Sequence, residues 1–153
     1  MIIEENLKVC GPSLPNIQKI LMCDFYSFEG YNLNVDRVIT SLRGSQTWVE
    51  WDFDYKSCNF NEDDNGSHYP QTFQLVIQKV KNETKLQLEK LKARRVIIIF
   101  EDSNSIWHFS GENGLKMNSK TISIGNDNKY LLTLQTIANS STKDVLTSYA
   151  KSL

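Results

Sequence analysis

The most apolar segment of the chain is Arg95-Val-Ile-Ile-Ile-Phe100, in which every residue after the arginine is aliphatic or aromatic. Side chains of a strand alternate between the two faces of a sheet, so a strand that is apolar at every position predicts burial on both faces. Glu101-Asp-Ser-Asn-Ser105 follows with the composition of a hairpin turn, and Ile106-Trp-His-Phe109 predicts the returning strand. The segment therefore predicts the central strand of a β-rich fold.

Segments on both sides of this hairpin predict further elements. Strands are expected at Thr72–Lys79 and at Lys129–Ile137, the second after a turn at Gly125–Asn128. One helix is predicted from Asn82, a good N-cap residue, to about Ala93, with apolar residues at helical spacing. Its inward positions are Val80, Thr84, Leu88 and Leu91, and its outward positions are Lys85, Glu89 and Lys92.

The N-terminal half gives weaker signals. Residues Ile17–Phe25 predict a buried strand. Residues 34–44 fit either helical or strand spacing, and their β-branched residues favour a strand that forms a hairpin with the residues after Gly44. The polar stretch 59–70 predicts a loop, and Gly111 and Gly114 predict another.

The sequence predicts a single domain over residues 1–153, because a chain of this length can bury a core without disulfides or metals. Pro12 and Pro15 predict an irregular N-terminal arm over about residues 1–16. Residues from about 139 to 153 predict either a short helix or a tail.

The clearest alternation in the chain lies at residues 49–55 and predicts a half-buried antiparallel strand. Three carboxylates on its outer face would repel one another unless a cation faces them. Residues 79–95 supply cations, with seven basic residues against two acidic ones. The predicted inner face is Val49, Trp51, Phe53 and Tyr55, and the outer face is Glu50, Asp52 and Asp54.

Composition excludes several classes of protein. The net charge of -1 argues against a general nucleic-acid or membrane-surface binder. Cys10, Cys23 and Cys58 are odd in number and have no metal-site spacing, so we expect reduced thiols. The first residues have neither the basic start nor the apolar core of a signal peptide, and no run is long enough for a membrane span, so we expect a protein that is neither exported nor embedded.

No motif predicts a catalytic, cofactor or metal site. Residues 61–66 have the spacing of the first half of an EF-hand loop, but Thr72 stands where the bidentate glutamate is required. His68 and His108 lie in no nucleophile motif, and His108 is interpreted as a strand side chain opposite Trp107 and Phe109. We therefore expect a protein that is not an enzyme.

Residues from about Phe73 to Ile137 resemble small virion proteins of tailed bacteriophages, especially the crAss-like phages of Bacteroidetes. The similarity lies in the order of elements and in three sequences: Lys92-Ala-Arg-Arg-Val-Ile-Ile-Ile-Phe100, Gly111-Glu-Asn-Gly-Leu115 and Asp127-Asn-Lys-Tyr-Leu-Leu-Thr-Leu134. The resemblance covers less than half of the chain. It implies an antiparallel β-sandwich or barrel of the tail-tube type, with one helix packed on it.

The resemblance further implies a homo-oligomeric ring or tube segment in a phage tail or neck, made in the host cytoplasm and located in the virion. The implied partners are copies of this chain, neighbouring tail or neck proteins, and genomic DNA that passes without specific binding. Such assemblies join different patches of neighbouring subunits. The candidate lumen or subunit-interface residues are Glu50, Asp52, Asp54, Lys85, Lys92 and Arg94.

An alternative function is a monomeric β-sandwich or OB-like module that binds an oligosaccharide or a single-stranded nucleic acid. In this alternative, Trp48, Trp51 and Tyr55 would provide the stacking surface.

Overall fold

The computed structural model describes residues 17–51, 58–77, 82–125 and 128–153, and only the backbone of residues 82–84. The predicted arm over residues 1–16 lies outside this part of the chain. The described residues form ten strands, two α-helices and one turn of 3₁₀ helix at Phe25–Ser27. The strands are β1 (Ile17–Asp24), β2 (Tyr31–Leu33), β3 (Ile39–Leu42), β4 (Val49–Glu50), β5 (Asn59–Glu62), β6 (Tyr69–Ile77), β7 (Arg95–Asp102), β8 (Trp107–Ser123), β9 (Lys129–Ala138) and β10 (Lys143–Val145); the helices are α1 (Asn82–Lys92) and α2 (Thr147–Lys151).

The strands form a curled, mixed sheet in which β8 belongs to two layers. One layer has the order β2-β3-β10-β8-β7-β1-β4, and the other has the order β8-β9-β6-β5. Every pair is antiparallel except β3 and β10, which pair in parallel through Ile39 and Val145. The expectation of a mainly β fold with a helix packed on it is confirmed.

The strand β8 joins the layers by bending at Gly111 and Gly114. Ser110 pairs with Ile98 and Leu115 pairs with Val96, so most of the residues between them on β8 have no counterpart on β7. Both glycines have a positive φ, of 103° and 82°, which other L-residues rarely adopt. The predicted loop is therefore wrong, because the glycines form a β-bulge inside one continuous strand.

Two apolar clusters lie on opposite faces of β7. Val96, Ile98 and Phe100 pack between the layers with residues of β6, β9 and α1. Ile97 and Ile99 pack on the other face with residues of β3, β10 and α2. The prediction that the central strand is covered on both faces is confirmed.

The helix α1 matches its predicted span to within one residue. Leu88 and Leu91 are buried in the cluster between the layers, as predicted. Lys85, Glu89 and Lys92 are exposed on the opposite side. Val80 and the side chain of Thr84 lie outside the described part of the chain.

Two predictions for the N-terminal half are wrong. The strand β3 pairs with β2 and β10, and not with the residues that follow Gly44, because the next strand, β4, pairs with β1 instead. Val49, which was expected to face the core, is 54% exposed in the short strand β4. Phe53 lies outside the described residues, as do Asp52, Asp54 and Tyr55.

The predicted loop at residues 59–70 is wrong at both ends, because strands occupy its first four residues and its last two. Residues Asn59–Glu62 form β5, which makes a hairpin with β6, and only the residues between these strands form a turn. The sequence left a short helix or a tail open for residues 139–153, and the structure contains a short helix, α2, there. This helix begins at Thr147, because residues Lys143–Val145 add a strand to the sheet.

Trp107 provides a test of the second cluster. Its side chain is 2% exposed and its indole N–H has no hydrogen-bond partner among the described residues. We expect Trp107→Ala to lower the free energy of unfolding by about 3–5 kcal/mol, measured by urea denaturation. Trp107→Phe should cost clearly less, because it keeps most of the apolar volume and breaks no hydrogen bond. Equal costs for the two variants would contradict this packing.

The bend of β8 provides a second test. A Cβ atom at Gly111 would lie 2.9 Å from the carbonyl oxygen of Val96, whereas a Cβ atom at Gly66, also at positive φ, would meet nothing within 4 Å. Gly66→Ala should therefore lower the free energy of unfolding by about 1 kcal/mol, and Gly111→Ala by roughly 2–4 kcal/mol. Chemical denaturation of both variants measures the difference, and similar costs would show that the bend is not tightly packed.

Candidate interaction surface

The acidic strip of the sequence is described only at its first member. Glu50 lies exposed on β4, and its Oε2 is 3.9 Å from the Nζ of Lys19 on β1. Asp52 and Asp54 lie outside the described residues. A single exposed ion pair at this distance contributes little to stability, so it would exchange readily for another partner.

The basic candidates lie on and just after α1. Lys85 and Lys92 are exposed on the helix. Arg94 follows the helix, and its Nη1 is 3.2 Å from the Oδ2 of Asp24 on β1. Glu50 and Arg94 therefore both have partners within the chain, and the structure does not bring either one to the other.

The tryptophans of the alternative binding surface pack against different clusters. Trp51 is half-buried against the cluster between the layers, and its backbone N–H donates to the carbonyl of Ile20 at 3.0 Å. Trp48 packs against the cluster on the other face of β7. The two rings therefore do not form one stacking platform, and Tyr55 lies outside the described residues.

A broad surface of uncharged polar residues covers the layer formed by β5, β6, β9 and β8. The residues that alternate with them, among them Phe60, Phe73 and Leu134, point into the cluster between the layers, so these side chains face outward. The pairing register places them in two rows across the four strands. We call this surface the polar face: Asn59, Gln74, Thr133 and Ser119 form one row, and Asn61, Thr72, Gln135 and Lys116 form the next.

The polar face carries one formal charge, that of Lys116. Its other members are amides and hydroxyls, which both donate and accept hydrogen bonds and keep the surface hydrated. Leu131 and Ile137 lie exposed at its margins. Sequence reasoning missed this surface because its members come from four separate strands, and only the register brings them into rows.

An open groove of about 760 Å³ lies at one end of the polar face, beside the bend of β8. Arg95 and Lys116 line the groove together with Asn113 and Gln135. The Nη1 of Arg95 donates to the carbonyl of Asn113 at 3.2 Å, which fixes the guanidinium at the edge of the groove. The groove combines two cations with amide groups, so it could hold a polar ligand.

Two carboxylates hold the segment between β9 and β10. Glu62 accepts hydrogen bonds from the Ser141 hydroxyl at 2.6 Å and from the Thr142 backbone N–H at 2.7 Å. Glu112 accepts from the backbone N–H of Asn139 and from the Ser140 hydroxyl, both at 3.1 Å. These bonds give the segment a fixed path to β10.

The turn between β5 and β6 contains the residues with calcium-like spacing. The Oδ1 of Asp64 accepts from the Gly66 N–H at 2.8 Å, and the Asn65 N–H donates to the His68 carbonyl at 3.1 Å. These bonds close the turn, and one of them is accepted by the side chain of Asp64, a residue of the turn itself. Among the described residues, no three or more His, Cys, Asp or Glu side chains group so as to hold a metal ion.

The other histidine, His108, contacts two carboxylates that the residues next to it in the sequence do not predict. His108 lies with one ring nitrogen beside Asp102 and the other beside Asp144. The predicted hairpin could have indicated the first contact, because it places Phe100 opposite His108 and Asp102 close by. The second contact comes from β10, which no local pattern predicted.

Burial also affects one thiol. Cys58 is buried in the cluster between the layers, and the loss of water raises its pKa to about 12. The thiol is therefore protonated at neutral pH and is a poor nucleophile. Its role is to fill space in the core.

Comparison with known proteins does not assign the chain to a family. Searches against protein-family profiles, curated proteins and solved structures found no match. In the described part of the chain, no helix has the length and apolar character needed to cross a membrane.

The carboxyl of Asp102 gives a testable pH dependence. Burial raises its pKa, but hydrogen bonds from His108 and from the backbone N–H groups of Ile106 and Asn104 outweigh burial and leave the pKa below its usual range. A lowered folded-state pKa contributes stability that is present above the unfolded-state value of about 3.9 and is lost as the pH falls through the folded-state value.

The free energy of unfolding of the unmodified protein should decrease as the pH is lowered from about 5 to about 2. We expect this decrease to be smaller in Asp102→Asn. Urea denaturation at several pH values measures this fall. Asp36→Asn, which alters an exposed carboxyl in the turn between β2 and β3, serves as the control. If the Asp102 and Asp36 variants gave the same acid profile as the unmodified protein, the hydrogen bonds to Asp102 would have no energetic role.

Proposed function

We propose that this chain is a structural subunit that assembles into a homo-oligomeric ring or tube segment of a phage tail or neck, with the polar face lining the passage for DNA. The observation that carries the proposal is the polar face itself, which is four strands wide and bears one formal charge. The resemblance of residues 73–137 to small tail and neck proteins supports the same class. No catalytic function is proposed.

An uncharged polar lining suits the passage of a polyanion. A protein that contacts phosphates with lysine or arginine releases counterions, and every such contact strengthens binding. A lining of amides and hydroxyls stays hydrated without holding the phosphates. The polar face has this character, with Lys116 as its single cation, so DNA could pass it without being retained.

The edges of the layer support assembly by strand pairing. Within the described residues, β5 pairs only with β6, and β8 beyond Lys116 pairs only with β9. In the part of the chain that the structure describes, each end of this layer is therefore an edge that no further strand covers. Because each neighbouring pair in the order β5-β6-β9-β8 is antiparallel, β5 and β8 run in opposite directions.

A ring of this kind requires that β5 and β8 run in opposite directions. A rotation about a ring axis would bring β5 of one copy beside β8 of the next copy, and the two strands would pair antiparallel. This contact joins two different patches, so it can repeat around a closed ring. Exposed Glu50 on β4 and exposed Lys85 and Lys92 on α1 provide patches of opposite sign for further contacts between copies.

Electron microscopy of the purified, concentrated protein in negative stain tests assembly. We expect closed rings or short tubes, and contacts between charged patches should make them less abundant at high salt. Monomers at every concentration and salt would contradict assembly by this chain alone.

Lysine substitutions test the lining. Rings of Gln74→Lys/Thr133→Lys should bind duplex DNA with an affinity that falls steeply with salt, since each copy would add two cations to the passage. Rings of Gln87→Lys/Ser148→Lys, which place the same charge on exposed positions of α1 and α2, should bind much less DNA. Fluorescence anisotropy of labelled DNA measures both, and equal binding would contradict the placement of the polar face in the passage.

A binding module is the second candidate function, and the groove beside the bend of β8 favours it. Oligosaccharides and single-stranded oligonucleotides are the ligands to test by calorimetry. Arg95→Gln/Lys116→Gln removes both cations from the groove. If one of these ligands bound saturably to the unmodified protein and did not bind to this variant, the result would favour the binding module over the ring.

A further inference from the structure

His108 connects two elements that are distant in the sequence. Its Nε2 lies 2.7 Å from the Oδ2 of Asp102, at the end of β7, and its Nδ1 lies 3.3 Å from the Oδ1 of Asp144, in β10. The ring stacks on Phe100 at a centroid distance of 5.2 Å. Stacking holds the ring so that each nitrogen faces its own carboxylate.

The protonation state of His108 decides how many of these contacts are hydrogen bonds. A neutral imidazole has one N–H group and can donate to one carboxylate, while its other nitrogen presents a lone pair to the second. A protonated imidazole has an N–H group on each nitrogen and a positive charge, so it also attracts Asp144. Asp102 is the better-fixed acceptor, because its Oδ1 also accepts from the backbone N–H groups of Asn104 and Ile106 at 2.8 and 3.0 Å. The longer contact to Asp144 is therefore the one that loses its donor when the ring is neutral.

The other charged residues on the strands beside His108 either point to the opposite face of the sheet or contact other side chains. Glu101 and Lys143 are the neighbours of Asp102 and Asp144 in the chain, and they alternate to the opposite face of their strands. The Nζ of Lys143 donates to Ser140 at 2.8 Å and lies over the ring of Tyr31 at 5.4 Å.

The strands β1 and β5 also carry charged groups, of which Lys19 lies on the same face as Glu101, opposite His108. Lys19 on β1 pairs in register with Glu101, and its Nζ lies 3.9 Å from Glu50. Glu62 on β5 accepts from Gln71, Ser141 and Thr142. Among the described residues, Asp102 and Asp144 are thus the two charged groups in contact with the ring of His108.

The strand β10 has few backbone pairings, although Val145 is buried in the cluster on the other face of β7. It pairs with β8 over three residues and with β3 through one, Val145 to Ile39. Asp144 is the residue opposite His108 in this pairing. The segment after β10 adds the N–H of Leu146, which donates to the Ile39 carbonyl at 2.8 Å, and the hydroxyl of Tyr149, which accepts from the Leu42 N–H at 3.1 Å.

We propose that His108 is a pH-sensitive latch that fastens the C-terminal segment, β10 and α2, to the rest of the sheet. The protonated ring bridges Asp102 and Asp144 and holds β10 between β3 and β8. The neutral ring keeps Asp102 and releases Asp144, so the segment opens more often above neutral pH. Histidine is the side-chain type whose charge most often changes near physiological pH, and the side chain of His108 is 21% exposed, so protons from solvent can reach it.

The contact between His108 and Asp102 also affects the pKa of Asp102. Burial raises this pKa, but the hydrogen bond from His108 is the largest of the opposing causes that leave it below its usual range. The latch does not rest on the proposed ring, because every contact lies within one copy of the chain.

Hydrogen–deuterium exchange of the full chain at pH 5.5 and pH 8.5 tests the latch. After correction for the intrinsic effect of pH on exchange, amides of residues 145–150 should lose roughly two- to fivefold of their protection at the higher pH, which is the size expected for one partly exposed ion pair. Amides of β7, in the centre of the sheet, should not change. An equal loss of protection in both regions, or no loss in either, would overturn the proposal.

Two variants separate the latch from other pH effects. His108→Gln supplies an uncharged donor, and Asp144→Asn removes the carboxylate from a side chain that is 56% exposed, so the second should fold even if the first does not. Both should give the same protection of residues 145–150 at the two pH values. His68→Gln, in the turn between β5 and β6, is the matched control and should keep the pH response of the unmodified protein. A pH response that persists in Asp144→Asn would overturn the latch.

Discussion

The bend of β8 is the constraint on which the rest of the structure depends. A single strand begins in one layer, paired with β7 and β10, and ends in the other, paired with β9. The positive φ angles of Gly111 and Gly114 make this change of direction possible while the strand stays paired on either side of the bulge. The apolar cluster between the layers exists because the bend places β9 and β6 over β7 and β1.

The sequence predicts the buried strand and helix at the centre of this fold better than the bend of β8 that joins the two layers. The run from Val96 to Phe100 identifies a strand buried on both faces, and the spacing of Leu88 and Leu91 identifies the inner side of α1. Both signals are local, because burial of a strand or helix leaves its periodicity in the neighbouring residues. The glycines of β8 were interpreted as a loop, since glycine at positive φ is as typical of a turn as of a bulge.

The surfaces could be predicted less well than the core. The alternation at residues 49–55 is clear in the sequence, yet Val49 is exposed in a strand of two residues. The polar face and the contacts of His108 depend on pairings between remote strands, which local patterns do not contain. Local sequence thus predicts which residues are buried, whereas the register decides which exposed residues become neighbours.

The parallel pairing of β3 with β10 has a consequence for how the chain folds. Ile39 and Val145 come from opposite ends of the described chain, and closing so long a loop costs conformational entropy before the contact stabilises anything. Contacts of this separation slow folding, so the hairpins formed by β5 with β6 and by β8 with β9 should form first. Before β10 pairs with β3, Ile39 and Leu42 are only partly buried. A partly synthesised chain would therefore expose these side chains to chaperones or to other chains.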